Sequence, residues 1–350
     1  MKVLFAHDAG NGFIKGATGN DTTHIAPHAL LELTPSDVER LLERNGKLNA
    51  DYVQINDQFY VTGESVYSHD PNPAVLRGAQ RYVPSYYGVL LATSLARAYP
   101  VHQRTRHVQL MAFHAPGDFE YRANLRDSIP THFTITQFTK PHQPESWDFT
   151  IESVTLLEEG MGAFFRYLLS HDGTAFSVPK GQEQGDFLCF DLGHKTCEGL
   201  SISRLEPVYS AYGSIEMGIG DIRAKAKTVL EQAFATELKG HRLRPQDVDD
   251  ALSDQASLKL RGKKYPVADL LEPVVNDFLG KFLMQYEALY QGGLPYDTIL
   301  IAGGGAPLLW KHRSLLNHAN VKLVCPLDQA IFANVLGGNN LRRFLNAHPS

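Results

Sequence analysis

Short apolar runs that end in a carboxylate and a glycine alternate along this chain with longer stretches of helical spacing. Val3, Leu4 and Phe5 form an apolar strand leading into Asp8-Ala9-Gly10-Asn11-Gly12, and the chain returns through Phe13, Ile14, Lys15 and Gly16. The pattern recurs past the middle. Phe187-Leu188-Cys189-Phe190 runs into Asp191, turns at Gly193, exposes a polar tip His194-Lys195-Thr196 and comes back on smaller residues. Strand, D-x-G and hairpin therefore occur twice, which predicts a duplicated architecture with two hairpins facing each other.

Between and after these hairpins the pattern predicts mixed α and β elements. Thr34 as cap, Pro35 at the first helical position and Asp37 in the first turn start a helix with Val38, Leu41 and Leu42 on one face, stopping near Asn45-Gly46. Tyr52–Ile55 and Gln58–Val61 alternate around Asn56-Asp57 as a hairpin. Residues 70–84, rich in Pro, Gly and Arg, read as loop, and Ser85 then caps an apolar helix ending near Tyr99-Pro100. His107 to Phe113 is a buried strand, followed by a charged helix from Tyr121 to Ser128 and strands at 131–138 and 150–155. Leu156 opens a helix to about Ser170, with Glu158 and Glu159 ahead of Gly160, Gly162 and Ala163. Residues 171–185 read as a polar connection into a second half.

That half opens with the second hairpin and short strands over 201–212. Gly218 and Gly220 then lead into a helix bearing Val229, Leu230 and Phe234, and 245–255 reads as an acidic, solvent-facing helix. Asp269-Leu270-Leu271-Glu272 reads as a capping box for the longest helix, which runs to Tyr290 with Pro273 in its first turn. Leu271, Val274, Val275, Phe278, Phe282, Met284 and Leu289 are its core residues. A buried strand then ends in Gly303-Gly304-Gly305, and a helix begins at Pro307. After a strand at 321–325, a terminal helix starting at Asp328 carries Ala333, Gly337 and Gly338. Small residues on this helix and at Gly160 to Ala163 predict a close helix crossing, as in a hinge.

Composition narrows the class. At 350 residues the chain exceeds the usual size of one core, and 43% hydrophobic with 20% charged residues is ordinary for a soluble globular protein. A formal charge of −5 argues against binding nucleic acid or anionic membranes through the whole surface. Cys189, Cys197 and Cys325 lack CxxC spacing, which predicts a reducing compartment without a disulfide framework. The first ten residues are too short in apolar run for a signal peptide, so the expectation is a cytoplasmic protein. Fifteen scattered histidines give no ligand spacing.

The candidate chemistry lies at the glycines and carboxylates. A carboxylate two residues before a glycine sets an anion beside backbone N–H groups, which suits a metal–phosphate group; alone it is also an ordinary turn. Glu158 and Glu159 read either as acidic residues favoured at a helix start or as a base that orients water. Gly218 and Gly220 can admit a phosphate or ribose, or form a plain strand–helix turn. Gly303, Gly304 and Gly305 offer bare backbone to a flat ring, or flexibility.

In this order the pieces resemble the actin-like ATPase superfamily, which includes Hsp70 chaperones and sugar kinases. Asp8-x-Gly10-Asn11-Gly12-x-x-Lys15-Gly16 resembles the first phosphate motif, Asp191-Leu192-Gly193-His194-Lys195-Thr196 the second, and Ile301 to Ala306 the adenosine motif. Glu158 to Phe164 and Phe332 to Gly338 resemble the two connecting helices of ParM/StbA-type actins. The resemblance implies an α/β fold of two duplicated RNase H-like lobes around a nucleotide cleft, one of residues 1–168 with 326–350 and the other of 169–325. It further implies a Mg²⁺-dependent ATPase, with GTP as the alternative nucleotide. Asp8 and Asp191 would hold Mg²⁺. Lys15 and the backbone of Gly10, Asn11, Gly12, Gly193, His194, Lys195 and Thr196 would meet the phosphates. Gly218, Gly220 and Gly303 to Gly305 would meet the rest of the nucleotide.

Glu159 takes the place of the water-positioning acid, with Glu158 one residue away as the alternative, and Asp191 is the second catalytic residue. His194-Lys195 departs from relatives, which carry small or hydroxyl residues there; Lys195 either reaches the γ-phosphate or leaves the pocket. The implied partners are further copies of the chain in a head-to-tail filament, and a separate DNA-binding adaptor for plasmid segregation. Direct nucleic-acid or membrane contact is not expected. A small-molecule kinase on the same fold and a non-polymerising scaffold of the FtsA or pilus-assembly kind are the competing readings.

Overall fold

The first strand, Lys2–Ala9, is buried without a break from Phe5 onwards because both its faces are covered there. Phe5 packs into a cluster with Leu90, Leu91 and Leu95 of the helix Val89–Ala98, while Ala6 faces Val335 and Leu336 of the terminal helix Ala333–Ala347. The computed structural model describes residues 2–43, 49–70, 73–99, 105–138, 144–253 and 256–348. The helix stops expected at Asn45-Gly46, Pro100 and Gln255 lie outside them, as does the side chain of Leu42.

Among the described residues Lys2–Ala9 sits inside a nine-stranded mixed sheet. It pairs antiparallel with Phe13–Thr18, bringing Asp8 opposite Lys15, and parallel with Thr105–His114, with Phe5 opposite Leu110. Next in order come Glu145–Glu158, His132–Gln137 and the hairpin Tyr52–Ile55/Gln58–Thr62. A second, six-stranded sheet is built on Asp186–Leu192, antiparallel to Cys197–Ser203 and parallel to Thr298–Ala302, so that Asp191 lies beside Ala302. Phe190 packs edge-on against Phe282, Tyr286 and Tyr290 of the long helix Ala268–Tyr290, and Phe187 meets Phe164 of the helix Met161–Leu168.

Met161–Leu168 and Ala333–Ala347 cross between the sheets. A Cβ at Gly162 would lie 2.5 Å from the Asn334 carbonyl oxygen, and one at Gly337 only 2.6 Å from Arg166 N, with the Gly162 carbonyl closer still. The expected small-residue crossing is present, and the glycines permit it.

Several sequence expectations shift. Leu156-Leu157-Glu158 ends a fourteen-residue strand instead of opening a helix; Gly160, at φ 92°, makes the turn, and the helix starts at Met161 and ends at Leu168. Ser85 caps nothing, since helical turns already begin at Pro84, which holds the first-turn position where its missing N–H is harmless. The long helix begins at Ala268 without a side-chain cap, so Pro273 falls in its second turn. Met284 and Leu289 face solvent, at 67% and 47% exposure, because Phe278, Phe282, Tyr286 and Tyr290 hold the inward face. The helix after the glycines starts at Ala306. In Pro245–Leu252 the acidic residues are outward, but Val248 and Ala251 are buried. Among the described residues no helix is long and apolar enough to cross a membrane.

Candidate functional site

The first hairpin is an ion pair built across two strands. Because Asp8 and Lys15 are cross-strand partners, Lys15 Nζ reaches Asp8 Oδ2 at 2.7 Å. The other carboxylate oxygen, Asp8 Oδ1, is buried without a partner. His28 braces the tip, its Nδ1 lying 2.6 Å from the Gly10 carbonyl and its N–H donating to the Gly12 carbonyl at 3.1 Å.

At the second hairpin Gly193 N–H closes the turn onto the Thr196 carbonyl at 2.9 Å, so this amide is already engaged. Asp191, at the strand end, accepts a 2.6 Å hydrogen bond from Asn334 Nδ2. The two tips touch: a Cβ at Gly12 would fall 2.6 Å from His194 Cγ, and the Phe13 and His194 rings meet edge-on at 6.3 Å.

Where they meet is a cavity of about 110 Å³. Gly10, Asn11, Gly12 and Lys15 line it from the first hairpin, and Asp191, Gly193, His194, Lys195 and Thr196 from the second. Glu159 and Gly304 close it, and Asp8 stands one layer behind Lys15. Of the two adjacent glutamates only Glu159 faces this space. Glu158, on the strand's other face, accepts a 2.7 Å hydrogen bond from Tyr209 Oη and lies 3.8 Å from His114 Nε2. Lys195 is exposed yet lines the cavity rather than leaving it.

A second cavity of about 510 Å³ adjoins the first through Ile219, Arg223 and Gly304, and is walled by Pro307, Leu308, Trp310 and Val275. The three consecutive glycines divide their work. Gly303, at φ 87°, and Gly305 let the turn close on Asp191 and Leu192, and only Gly304 opens on both cavities.

Gly218 and Gly220 do not face the cavity. They pack against the backbone of His194; Gly218 N–H donates to Asp221 at 2.9 Å, while Ile219 N–H and Gly220 N–H donate to the Gly193 and His194 carbonyls at 2.9 and 2.8 Å. The first amides of the helix Ile219–Ala233 thus support the hairpin tip instead of an anion. Ile219 and Arg223, from the same helix, reach the cavities in their place.

Three carboxylates converge on two cations here. Burial, and then the charges of Asp8 and Asp191, push Glu159 up to about 8, with Arg81 and Lys15 opposing. Burial and the Asp8 charge also raise Asp191, against Lys15 and the Asn334 hydrogen bond. Burial disfavours the Lys15 ammonium, but Asp8, Asp191 and Glu159 outweigh it and raise its pKa. Such a site favours an added cation.

Sequence reasoning passed over two residues that organise this site. Asn334 Oδ1 accepts from Gly160 N–H and Ala163 N–H at 3.0 and 3.1 Å while its amide holds Asp191, tying both connecting helices to the second hairpin. An asparagine amid small residues in a helix was its signal. Arg81, buried beside Glu159, lay in a segment read as loop.

Residues 6–162 match the sequence family described as the N-terminal domain of actin-like proteins. An archaeal actin homologue in complex with ADP superposes at a TM-score of 0.74 and 19% identity, covering 97% of this chain and 99% of that one. ParM of Bacillus thuringiensis with ATP gives 0.74 at 15%, covering 99% of each chain, and the actin-like protein Alp7A gives 0.73 at 13%, covering 98% and 96%. No curated protein matches the sequence. The resemblance drawn from motif order is borne out: the chain has the actin-like fold, and its structural neighbours are archaeal actin homologues and ParM proteins.

Proposed function

We propose that this actin-like chain is a Mg²⁺-dependent ATPase that polymerises head to tail and disassembles after hydrolysis. We place it in the cytoplasm, moving plasmid or other DNA through a separate DNA-binding adaptor. Its lobes would be residues 1–168 with 326–350 and residues 169–325. The observation that carries the reading is the meeting of two acidic hairpins, one from each sheet, around one small cavity holding Lys15, Asp191 and Glu159. Relatives of the same fold solved with ADP and with ATP support it.

The residues suit that chemistry. Lys15 and the amides of Gly10 to Gly12 and of the His194–Thr196 tip would neutralise the phosphates, while the adjoining cavity, apolar at Val275, Pro307, Leu308 and Trp310 and polar at Arg223, Asp249 and Lys311, would take the nucleoside, with ATP ahead of GTP. The unpartnered Asp8 Oδ1 and the surplus of buried carboxylate fit a divalent cation held by Asp8 and Asp191 through its water shell. Bound Mg²⁺ would offset charge on the phosphates. Glu159, ionised once that cation is present, would accept a proton of the attacking water and aim it in line with the scissile bond. Each hairpin touching the same triphosphate would draw the lobes together, and loss of the terminal phosphate would release them about the Gly162–Gly337 crossing. A filament follows when the head-to-tail rotation does not close a ring.

Light scattering with ATP and Mg²⁺, recorded alongside phosphate release, tests the proposal. Scattering that rises above a critical concentration and decays as phosphate appears is expected. A flat trace across protein concentrations contradicts polymerisation.

A further inference from the structure

Arg81 does not belong to any of the motifs above, yet its side chain is only 2% exposed. A guanidinium is seldom buried unless it is paired. Its partners are arranged on two sides. Behind it, Nη2 donates to Tyr82 Oη at 2.9 Å, and Tyr82 Oη donates in turn to Asp118 Oδ2 at 3.1 Å. Towards the cavity, Nη2 lies 3.6 Å from Glu159 Oε1, and Nη1 lies 3.5 Å from Asn11 Oδ1. The same Asn11 oxygen accepts from Gly78 N–H at 3.3 Å, so the turn Gly78–Arg81 is pinned to the tip of the first hairpin.

We propose that Arg81 is a positioning residue for hydrolysis, holding the Glu159 carboxylate aimed into the cavity and coupling it to the phosphate hairpin through Asn11. The inference rests on the ATPase reading of this site. Lys15 is paired with Asp8 instead, at 2.7 Å. The charged groups facing Glu159 are Asp8 and Lys15 from the first hairpin, Asp191 from the second, and Arg81 from the turn. Only Arg81 is a cation within 4 Å of Glu159 among the described ion pairs. Tyr82 and Asp118 fix the far side of the guanidinium, which leaves Asn11 and Glu159 as its partners towards the cavity.

A double-mutant cycle on the full chain tests this. Steady-state ATP turnover is measured for wild type, Arg81→Met, Glu159→Gln and the double variant, with nucleotide affinity read from a fluorescent ATP analogue. Arg81→Met is expected to lower kcat by about 10- to 100-fold, with affinity changed by less than about threefold, because a positioned base contributes on the order of 100-fold or more. In the Glu159→Gln background the same substitution is expected to change kcat less than about twofold, since the residue it acts through is gone. Arg81→Lys, which keeps a cation, is expected to recover most of the loss, and Arg81→Gln, which removes the charge but keeps a polar group, takes the place of the Met variant if that one fails to fold. An Arg81→Met loss of equal size in both backgrounds overturns the proposal, as does a loss carried wholly by affinity. Wild-type turnover with an unchanged Arg81→Met kcat overturns the role of Arg81 alone; a wild-type chain that neither binds nor hydrolyses ATP overturns the ATPase reading and this inference with it.

Discussion

Gly337→Ala is the sharpest test of how the two connecting helices are held. The added Cβ would sit 2.6 Å from Arg166 N and 2.7 Å from the Gly162 carbonyl carbon, and closer to its oxygen. Carbon atoms rest at about 3.5–4.0 Å, so the helices would have to part by about 1 Å. Both obstacles are backbone, and no rotamer change relieves them. Overpacking of this kind costs about 1–3 kcal/mol, here at the upper end. Alanine recovers about 1 kcal/mol over glycine in a helix, leaving a net loss of about 2 kcal/mol. For a domain of some 150–250 residues that is a fall of about 4–8 °C in melting temperature. Gly280→Ala is the control: it is exposed in the long helix, and nothing lies within 4 Å of the added Cβ. It should gain about 1 kcal/mol from propensity alone. Thermal melts by circular dichroism compare the two. Equal stabilisation of both variants would refute the close crossing.

Two other outcomes follow from the same geometry. Asn334→Ala removes two acceptor bonds from the helix start and one donor from Asp191, all buried; with a lost cap at about 1 kcal/mol and a charged hydrogen bond at about 1.5–3 kcal/mol, the urea midpoint should fall markedly. An unchanged midpoint would mean that water replaces the amide without cost. Glu159, raised from an ordinary 4.5 to about 8 in the empty protein, contributes stability that is complete below pH 4.5 and lost as pH rises through 8. Nucleotide-free Glu159→Gln should therefore melt like wild type near pH 4 and above it near pH 9; parallel melting curves for the two proteins over that range would count against a disfavoured carboxylate.

Much of the fold could be read from the chain because its signals are local. Asp8 and Lys15 stand at the ends of a short hairpin whose register the turn sets, and the repeat at Asp191 announced the second sheet. Small residues at Gly162 and Gly337 likewise announced a crossing before any contact was known. What stayed hidden depends on distant neighbours. Leu156-Leu157 is apolar without alternation, and an apolar run that short does not tell a strand from a helix; pairing with Phe113 and Ala112 decides it. Gly218 and Gly220 read equally as glycines that admit a phosphate or ribose and as a plain strand–helix turn, because local sequence cannot show that the His194 carbonyl occupies the space beside them. Arg81 sits in a segment with no periodicity, and its burial comes from Tyr82, Asp118 and Glu159, the last two far away in sequence.

Asp8 and Asp191 come from different sheets, and the account stands on their serving one metal-bound triphosphate. Calorimetric titration of ATP into wild type and Asp191→Ala, each with Mg²⁺ and with chelator, tests that most directly. Binding to wild type that depends on Mg²⁺, and that the variant or the chelator abolishes, is the predicted result. Wild-type affinity in the variant, or binding indifferent to Mg²⁺, would contradict it.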